Sequence, residues 1–270
     1  MGSGSLAMSK PKGKCAFCGK PGDLTKSHIW PEWAEAILPQ IATHHRQTIG
    51  EFHTFKPIAK GPEYFQKLRQ GPVGARKPRN TCKKCNGDWM RLIEENTKPF
   101  LESLLLSKPY QLSLTEQQML AALLCLVSMR LEVAWWDGPQ GIPQCDREWL
   151  RENPEPPANW KIWIGKYIGS QMDIMDQQHT AMQIVSSSND TIGTEYCNTQ
   201  VTSLVVGQFY AHIFSSTVWK DFPGYDGADL VQLWPLTHRI IPVQSLPAIF
   251  EQEVIPLHET IPRTLRHIPS

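Results

Sequence analysis

The chain has 270 residues, of which 41% are hydrophobic and 20% are charged, a composition that supports a buried core and excludes global disorder. Its formal net charge of +1 conceals an asymmetry, since residues 1–108 carry +9 and residues 109–270 carry −8. A basic first half indicates a polyanionic partner, although mutual attraction between the two halves produces the same pattern.

The sequence predicts neither secretion nor a membrane span. Residues 1–7, MGSGSLA, are typical of an expression linker, and no secretory signal follows them. The longest apolar stretch, residues 119–136, is interrupted by Ser128, Arg130 and Glu132, which indicates a buried helix. We therefore expect a cytoplasmic protein without a membrane partner.

Apolar periodicity and turn residues predict the elements of the first part of the chain. In chain order they are a metal-binding turn over residues 15–23, a strand over 24–29, a short helix over 32–38, a strand or hairpin over 49–58, and a long helix that begins at residue 82. Residues 39–80 are otherwise expected to be irregular. Residues 67–84 hold seven basic residues and no acidic residue.

The second part of the chain changes from predicted helices to predicted strands. A helix is expected over residues 114–136, where Ser113 and Glu116 have the spacing of an N-terminal capping box. After it come a helix over residues 145–152, strands over 160–168, 180–186, 201–214 and 229–233, and a closing helix over 246–253. The chain is therefore predicted to be α+β, with one domain at residues 8–108 and an α+β domain of unknown role at 109–270.

Four of the seven cysteines form two CxxC pairs, Cys15/Cys18 and Cys82/Cys85, which are separated by 63 residues. Each pair can supply two ligands from one turn, and four thiolates suit tetrahedral Zn²⁺. A secreted disulfide framework would rarely combine two tight pairs with an odd number of scattered cysteines. The pattern predicts a structural zinc site in a reducing compartment.

The residues that follow each cysteine pair carry a more specific signal. Residues 24–31 read LTKSHIWP, and residues 82–86 read CKKCN, followed by Trp89, Met90 and Glu94. This arrangement resembles the HNH endonuclease superfamily, in the treble-clef branch with a four-cysteine zinc site, and it is similar to a group of bacterial and phage HNH proteins. The resemblance covers residues 15–95. It implies that residues 8–108 form a zinc-bound treble-clef module of the ββα-metal type.

The resemblance implies a role for three residues. His28 takes the position of the general base that activates water. Asn86, directly after Cys85, takes the position of the ligand of a catalytic metal, Mg²⁺ or another divalent ion, which polarises the scissile phosphate. Asn80 is the nearest candidate for the middle asparagine, although it lies closer to the second pair than the family spacing.

Alternative roles stay open for these residues. Ser27 stands where the family often has an acidic metal ligand, and Asp88 or Glu94 could supply the missing carboxylate. His28 could serve as a structural hydrogen-bond partner. Asn86 could cap the helix that begins near Cys85.

Basic residues near the second cysteine pair suit contacts with phosphate groups. Nucleic-acid contact is expected for Arg76, Lys77, Arg79, Lys83 and Lys84, with Lys67 and Arg69 as further members of the same run. The glycines between these residues equally fit a solvated loop.

The resemblance implies a metal-dependent HNH-type endonuclease that hydrolyses phosphodiester bonds in DNA, with a role in restriction or phage-related defence. RNA is an alternative substrate, and a homodimer would be suited to cutting both strands of a duplex. Ser27 favours a second hypothesis, a catalytically inactive, zinc-stabilised module that binds nucleic acid. A third hypothesis is a protein-interaction scaffold whose basic half binds an acidic partner.

Overall fold

The computed structural model describes residues 12–37, 44–52, 63–70, 77–134, 140–169, 175–182, 197–218 and 229–265. The elements in chain order are β1 (Lys12–Lys14), β2 (Pro21–Lys26), β3 (His44–Phe52), β4 (Glu63–Gln70), β5 (Arg79–Cys82), α1 (Lys83–Gly87), α2 (Trp89–Leu105), β6 (Gln111–Ser113), α3 (Leu114–Ala134), α4 (Gln144–Glu152), β7 (Trp160–Ile168), β8 (Met175–Met182), β9 (Thr199–Val206), β10 (Phe209–Ser216), β11 (Val231–Trp234), β12 (Ile240–Pro242), β13 (Ala248–Phe250) and α5 (Glu251–Leu265). Short 3₁₀ turns cover Glu32–Ala36 and Val243–Ser245. The predicted mixture of helices and strands is confirmed.

The strands of the described residues form three sheets. A small antiparallel sheet has the order β1-β2-β5 and leads directly into α1 and α2. A large sheet has the order β11-β7-β10-β9-β8-β3-β4, and β13 pairs with β7 beside β11. In the large sheet β3 runs parallel to β8 and β13 runs parallel to β7, whereas the other neighbours are antiparallel. β6 and β12 form a separate pair.

The large sheet is covered on both faces. Ile162 and Ile164 of β7 and Ile213 of β10 belong to the apolar cluster that contains α3. Trp163 of β7 belongs to a second cluster on the opposite face, which includes Val254 of α5. Alternate residues of one strand point to opposite faces, so β7 contributes to both layers. The fold therefore has a helix layer on each side of a central sheet.

α3 is the central helix of the fold. Its capping box forms as predicted: the Glu116 backbone N–H donates to Ser113 Oγ at 3.4 Å, and the Ser113 backbone N–H donates to Glu116 Oε2 at 2.8 Å. Among the described helices, α3 is the one long and apolar enough to cross a membrane, but 83% of its most apolar window is buried inside the fold. A helix that is apolar on all sides has to be buried on all sides, and here the rest of the fold buries it.

The structure corrects three sequence expectations. Residues 44–52 and 63–70, within the stretch that was expected to be largely irregular, form β3 and β4, an antiparallel pair that extends the large sheet through β8. Of the strand or hairpin expected over residues 49–58, residues 53–58 lie outside the described residues. The single strand expected over residues 201–214 is the β9–β10 hairpin, because Gly207 adopts a positive φ of 57° and turns the chain. The closing helix expected over residues 246–253 begins later, since Ala248–Phe250 first pairs with β7.

Strand pairing crosses the domain boundary that was predicted at residue 108. β3 precedes this boundary and pairs with β8, which follows it. The apolar cluster around α3 likewise includes Phe17 and Trp30 from the first part of the chain. The division into residues 8–108 and 109–270 stays a prediction about folding units.

A buried ion pair joins α3 to α4. Glu132 is 1% exposed, and its Oε2 lies 2.6 Å from Arg147 Nη2. The backbone N–H groups of Gly141 and Ile142 donate to Glu132 Oε1 at 2.6 and 3.1 Å. His179 Nε2 of β8 lies 3.5 Å from the same oxygen atom. The carboxylate therefore ties α4 and the large sheet to the central helix.

Replacing Arg147 with methionine is expected to destabilise the protein by about 3 kcal/mol, because Glu132 loses its cationic partner while it remains buried. Arg151→Met is the matched control on the same helix, since Arg151 pairs with the exposed Glu152 and should contribute less than about 1 kcal/mol. Urea unfolding measures both variants. Equal stabilities for the two would contradict the assignment of the Glu132–Arg147 pair as a structural anchor.

Two buried histidines connect α5 to the large sheet. His258 Nε2 lies 2.8 Å from Thr180 Oγ1, and His258 Nδ1 lies 3.1 Å from Ser203 Oγ. His212 Nδ1 lies 2.9 Å from the same Ser203 oxygen. Burial lowers the pKa of His212 to about 3. Burial, and then the neighbouring His212 and His179, lower the pKa of His258 well below its usual value. Both imidazoles are therefore neutral at neutral pH.

The stability of the fold is expected to decrease as the pH falls below about 6.5, because the unfolded state then binds more protons than the buried histidines do. Each histidine contributes up to about 1.4 kcal/mol per pH unit between its unfolded and folded pKa values. Urea unfolding at several pH values should give a shallower slope for His212→Gln than for the wild type. The exposed His238→Gln is the control and should keep the wild-type slope. An unchanged slope for His212→Gln would refute the prediction.

Candidate metal centre

The first cysteine pair lies in a turn between β1 and β2. The backbone N–H of Cys15 donates to the carbonyl of Lys20 at 3.0 Å, and the N–H of Gly19 donates to the carbonyl of Cys15 at 2.9 Å. Gly19 has a φ of +66°, a conformation that other residues rarely adopt, so glycine permits this tight turn. Phe17 is fully buried and packs edge-on against Trp89 of α2, with ring centroids 5.8 Å apart. This contact holds the turn against the helix.

The second cysteine pair lies where β5 becomes α1. The Sγ of Cys82 accepts a hydrogen bond from the backbone N–H of Cys85 at 3.4 Å, which caps the helix. The backbone N–H of Cys82 donates to the Sγ of Cys15 at 3.3 Å, which joins the two pairs. Backbone N–H groups that point at sulfur favour the thiolate form of cysteine.

All four sulfur atoms lie within 4.8 Å of one another, and the Sγ atoms of Cys18 and Cys82 are 3.9 Å apart. A disulfide requires about 2.0 Å between sulfur atoms, so these cysteines are free thiols rather than bonded pairs. Zinc–sulfur distances of about 2.3 Å place the sulfur atoms of a tetrahedral site about 3.8 Å apart. The four cysteines therefore fit a metal ion such as zinc, as the CxxC spacing predicted.

Contacts between Cys15, Cys82 and Cys85 shift the pKa values of these three thiols. A hydrogen bond from the Cys85 thiol lowers the pKa of Cys15 to about 4. The same contact, followed by burial, raises the pKa of Cys85, and burial raises the pKa of Cys82. Loss of the first proton is thus favourable and loss of the next is opposed by the negative charge already present. A bound divalent cation offsets this repulsion, so metal binding and deprotonation of the thiols are coupled.

The cluster brings two of the predicted catalytic segments into contact. Asn86 follows Cys85 directly, and its Oδ1 accepts a hydrogen bond from Ser27 Oγ at 3.0 Å. Its Nδ2 donates to the backbone carbonyl of Lys26 at 3.4 Å. His28 is the next residue after Ser27 in the chain. Asn86 is therefore fixed against the segment that carries His28.

Two other candidates have structural partners instead. Asn80 is buried, and its Nδ2 donates to the backbone carbonyl of Val133 at 2.8 Å while its Oδ1 accepts from Thr81 Oγ1 at 3.1 Å. The Asn80 side chain thus anchors β5 to α3. Glu94 Oε1 lies 2.6 Å from Nη1 of the buried Arg130, so this carboxylate neutralises a cation of α3.

The predicted basic residues are divided between several elements. Arg79, Lys83 and Lys84 are exposed beside the cysteine cluster, and Arg79 pairs with Lys26 across β2 and β5. Lys77 is partly exposed and its Nζ lies 3.7 Å from Glu32 Oε1. Lys67 and Arg69 lie on β4 rather than in a loop, and Arg76 lies outside the described residues.

The sequence predictions did not include Glu32, which lies close to His28. Its Oε1 is 3.5 Å from His28 Nε2. His28 and Glu32 are four residues apart, a spacing that brings side chains together in a helix or turn but not in an extended segment. The sequence would therefore have indicated the pair only if a turn had been expected at residues 28–32. Pro31 precedes the 3₁₀ turn that brings the two side chains together.

Comparison of the chain with models of protein families, with curated proteins and with solved structures finds no match.

Replacing Cys85 with serine is expected to remove bound zinc and to lower the midpoint of thermal unfolding, because a structural metal ion contributes its binding free energy to folding. Cys145→Ser is the matched control, since Cys145 is exposed and lies outside the cluster. Zinc content is measured by elemental mass spectrometry on both purified variants. Full zinc retention in Cys85→Ser would show that the four cysteines do not act as one site.

Proposed function

We propose that the chain is a metal-dependent endonuclease of the HNH type that hydrolyses phosphodiester bonds in DNA, and that β1, β2, β5 and α1 form its zinc-bound treble-clef module. The observation that carries the proposal is the hydrogen bond of 3.0 Å between Ser27 Oγ and Asn86 Oδ1. It holds the residue adjacent to His28 against Asn86. The positions that the resemblance assigns to the base and to the metal ligand therefore lie on touching segments.

In this proposal His28 acts as the general base. Its imidazole accepts a proton from water as the water oxygen attacks the scissile phosphorus, and a side chain that titrates near neutral pH suits this task. The His28 side chain is 18% exposed, so solvent reaches part of the ring. Ile29 and Trp30, which follow it, are buried and fix the backbone that carries the imidazole.

The oxygen atoms at Asn86 that could ligate a divalent cation would hold it only weakly. Asn86 Oδ1 and Ser27 Oγ are neutral oxygen atoms, whereas Mg²⁺ is usually held by one or two carboxylates together with waters and substrate phosphates. Glu94 is already paired with Arg130. Mg²⁺ or Mn²⁺ bound with the help of the substrate phosphate would supply positive charge that stabilises the leaving oxygen.

Exposed cations around the cysteine cluster supply the contacts to a nucleic-acid backbone. Lys26 and Arg79 lie opposite each other on the antiparallel strands β2 and β5. Lys83 and Lys84 lie between the two cysteines of the second pair. Contacts of this kind are independent of sequence and weaken as salt concentration rises. They serve DNA and RNA alike, so a direct comparison of the two substrates is part of the test.

The second candidate is a catalytically inactive, zinc-stabilised module that binds nucleic acid. It is favoured by Ser27, whose hydroxyl contacts Asn86 at the position where the family often has an acidic metal ligand. A hydroxyl is a weaker ligand for a hard cation than a carboxylate. This candidate retains the basic surface and therefore the salt-sensitive binding, but it lacks cleavage.

Supercoiled plasmid is expected to be nicked in the presence of Mg²⁺ or Mn²⁺ and to remain intact with EDTA. His28→Ala should reduce the rate by about 10²- to 10⁴-fold, the contribution typical of a general base. Single-stranded RNA of matched length, tested in parallel, shows which nucleic acid is preferred. The rates are measured by gel electrophoresis under single-turnover conditions.

His238→Ala is the matched control, since His238 is exposed in the segment between β11 and β12. It should cleave at the wild-type rate. Zinc content measured for each variant separates a loss of chemistry from a loss of fold. Salt-sensitive DNA binding by the wild type without cleavage under any metal would replace the nuclease proposal with the binding module.

A further inference from the structure

The four thiols of the cysteine cluster differ in their exposure to solvent. Cys15 and Cys85 are 1% and 3% exposed, whereas Cys18 and Cys82 are partly exposed. Each CxxC pair therefore combines one buried thiol with one thiol at the surface. A reagent dissolved in water reaches one sulfur atom in each pair more readily than the other.

The two partly exposed thiols also face each other across the cluster. The Sγ atoms of Cys18 and Cys82 are 3.9 Å apart, although the residues are 64 positions apart in the chain. The buried thiols of Cys15 and Cys85 likewise contact each other. A disulfide requires about 2.0 Å between its sulfur atoms, so Cys18 and Cys82 need a small further approach to be joined. Side chains near the surface make such movements with less hindrance than those in a packed core.

Neighbouring, accessible thiolates are the cysteines that peroxides oxidise to a disulfide most readily. Hydrogen peroxide transfers one oxygen atom to the first thiolate, which becomes a sulfenic acid as hydroxide leaves. The second thiolate then attacks this sulfur atom, forms the S–S bond and displaces a second hydroxide. Two electrons thus pass from the two sulfur atoms to one peroxide molecule. A dithiol such as dithiothreitol reverses the reaction and is itself oxidised to a disulfide.

We propose that Cys18 and Cys82 are a site of reversible oxidation, at which a peroxide joins the two CxxC pairs through a disulfide and abolishes metal binding. Cys15 and Cys85 remain as thiols, and two ligands are too few for a structural zinc site. The disulfide closes the same loop that the metal closes, so the two turns stay together after the ion has left. The proposal goes beyond the proposed nuclease function, since a catalytic and an inactive module need the same cluster.

The disulfide is identified by peptide mass spectrometry of zinc-loaded protein treated with hydrogen peroxide, after the remaining thiols have been alkylated under denaturing conditions. A peptide that links Cys18 to Cys82 should form as zinc is released to a chromogenic chelator, and Cys15 and Cys85 should be alkylated. Dithiothreitol followed by zinc should restore the metal content. A link within either CxxC pair, zinc release without the Cys18–Cys82 link, or retention of the zinc would overturn the proposal.

Replacing Cys18 with histidine tests the pair without removing a ligand, because three cysteines and one histidine also form structural zinc sites. Cys18→His should bind zinc and should lose both the crosslink and the reversible release of zinc by peroxide. Release at the wild-type rate from this variant would contradict the assignment of the pair. Cys145→Ser is the matched control, since Cys145 is exposed outside the cluster, and it should behave as the wild type.

The wild-type measurement decides the proposal by itself if Cys18→His retains no zinc, because the position of the link is read directly from the peptides. Plasmid cleavage is not among the readouts. Failure of the nuclease proposal therefore leaves this result unaffected, and absence of the Cys18–Cys82 link leaves the nuclease proposal unaffected.

Discussion

The close approach of four thiols determines how the segments of the candidate site are arranged. The sulfur atoms of Cys15, Cys18, Cys82 and Cys85 lie within 4.8 Å of one another, although 63 residues separate the two pairs in the chain. Loop-closure entropy increases only logarithmically with loop length, so this long segment can be bridged at little extra cost and can hold other elements. It contributes the β3–β4 hairpin to the large sheet. Because Asn86 directly follows Cys85, closing the cluster also brings it against Ser27.

The second half of the chain supports this site through polar contacts of α3. Arg130 reaches both Glu94 of α2 and the carbonyl of Ile29, and the carbonyl of Val133 accepts from Asn80 of β5. These groups are buried or partly buried, so each contact compensates the desolvation of a charge or of an amide. α3 is apolar enough to fill the core and yet carries the few polar groups that hold the first part of the chain. The same helix therefore serves the packing of the large sheet and the placement of the loop that contains His28.

The candidate site divides the polar residues near the cysteines into two groups. Ser27, His28, Glu32 and Asn86 are linked by contacts on segments that remain partly open to solvent. Asn80 and Glu94 are directed towards α3, where Asn80 Nδ2 donates to the carbonyl of Val133 and Glu94 Oε1 pairs with Arg130. Both groups contain residue types that could act as a general base or as a metal ligand in a nuclease. The difference between them is the direction of each side chain relative to the core, which depends on where α3 packs.

The sequence by itself determined the features that depend on neighbouring residues. The CxxC spacing predicted the cysteine cluster, the Ser113–Glu116 spacing predicted the capping box, and apolar periodicity predicted α3 and β7. Only the tertiary structure decided the features that depend on residues distant in the chain. β3 pairs in parallel with β8, which is more than 120 residues away in the chain. Asn80 acquires its partner from α3, and the turn after Pro31 places Glu32 beside His28. Local sequence does not determine these features, because the free energy that favours them comes from contacts between residues that are distant in the chain.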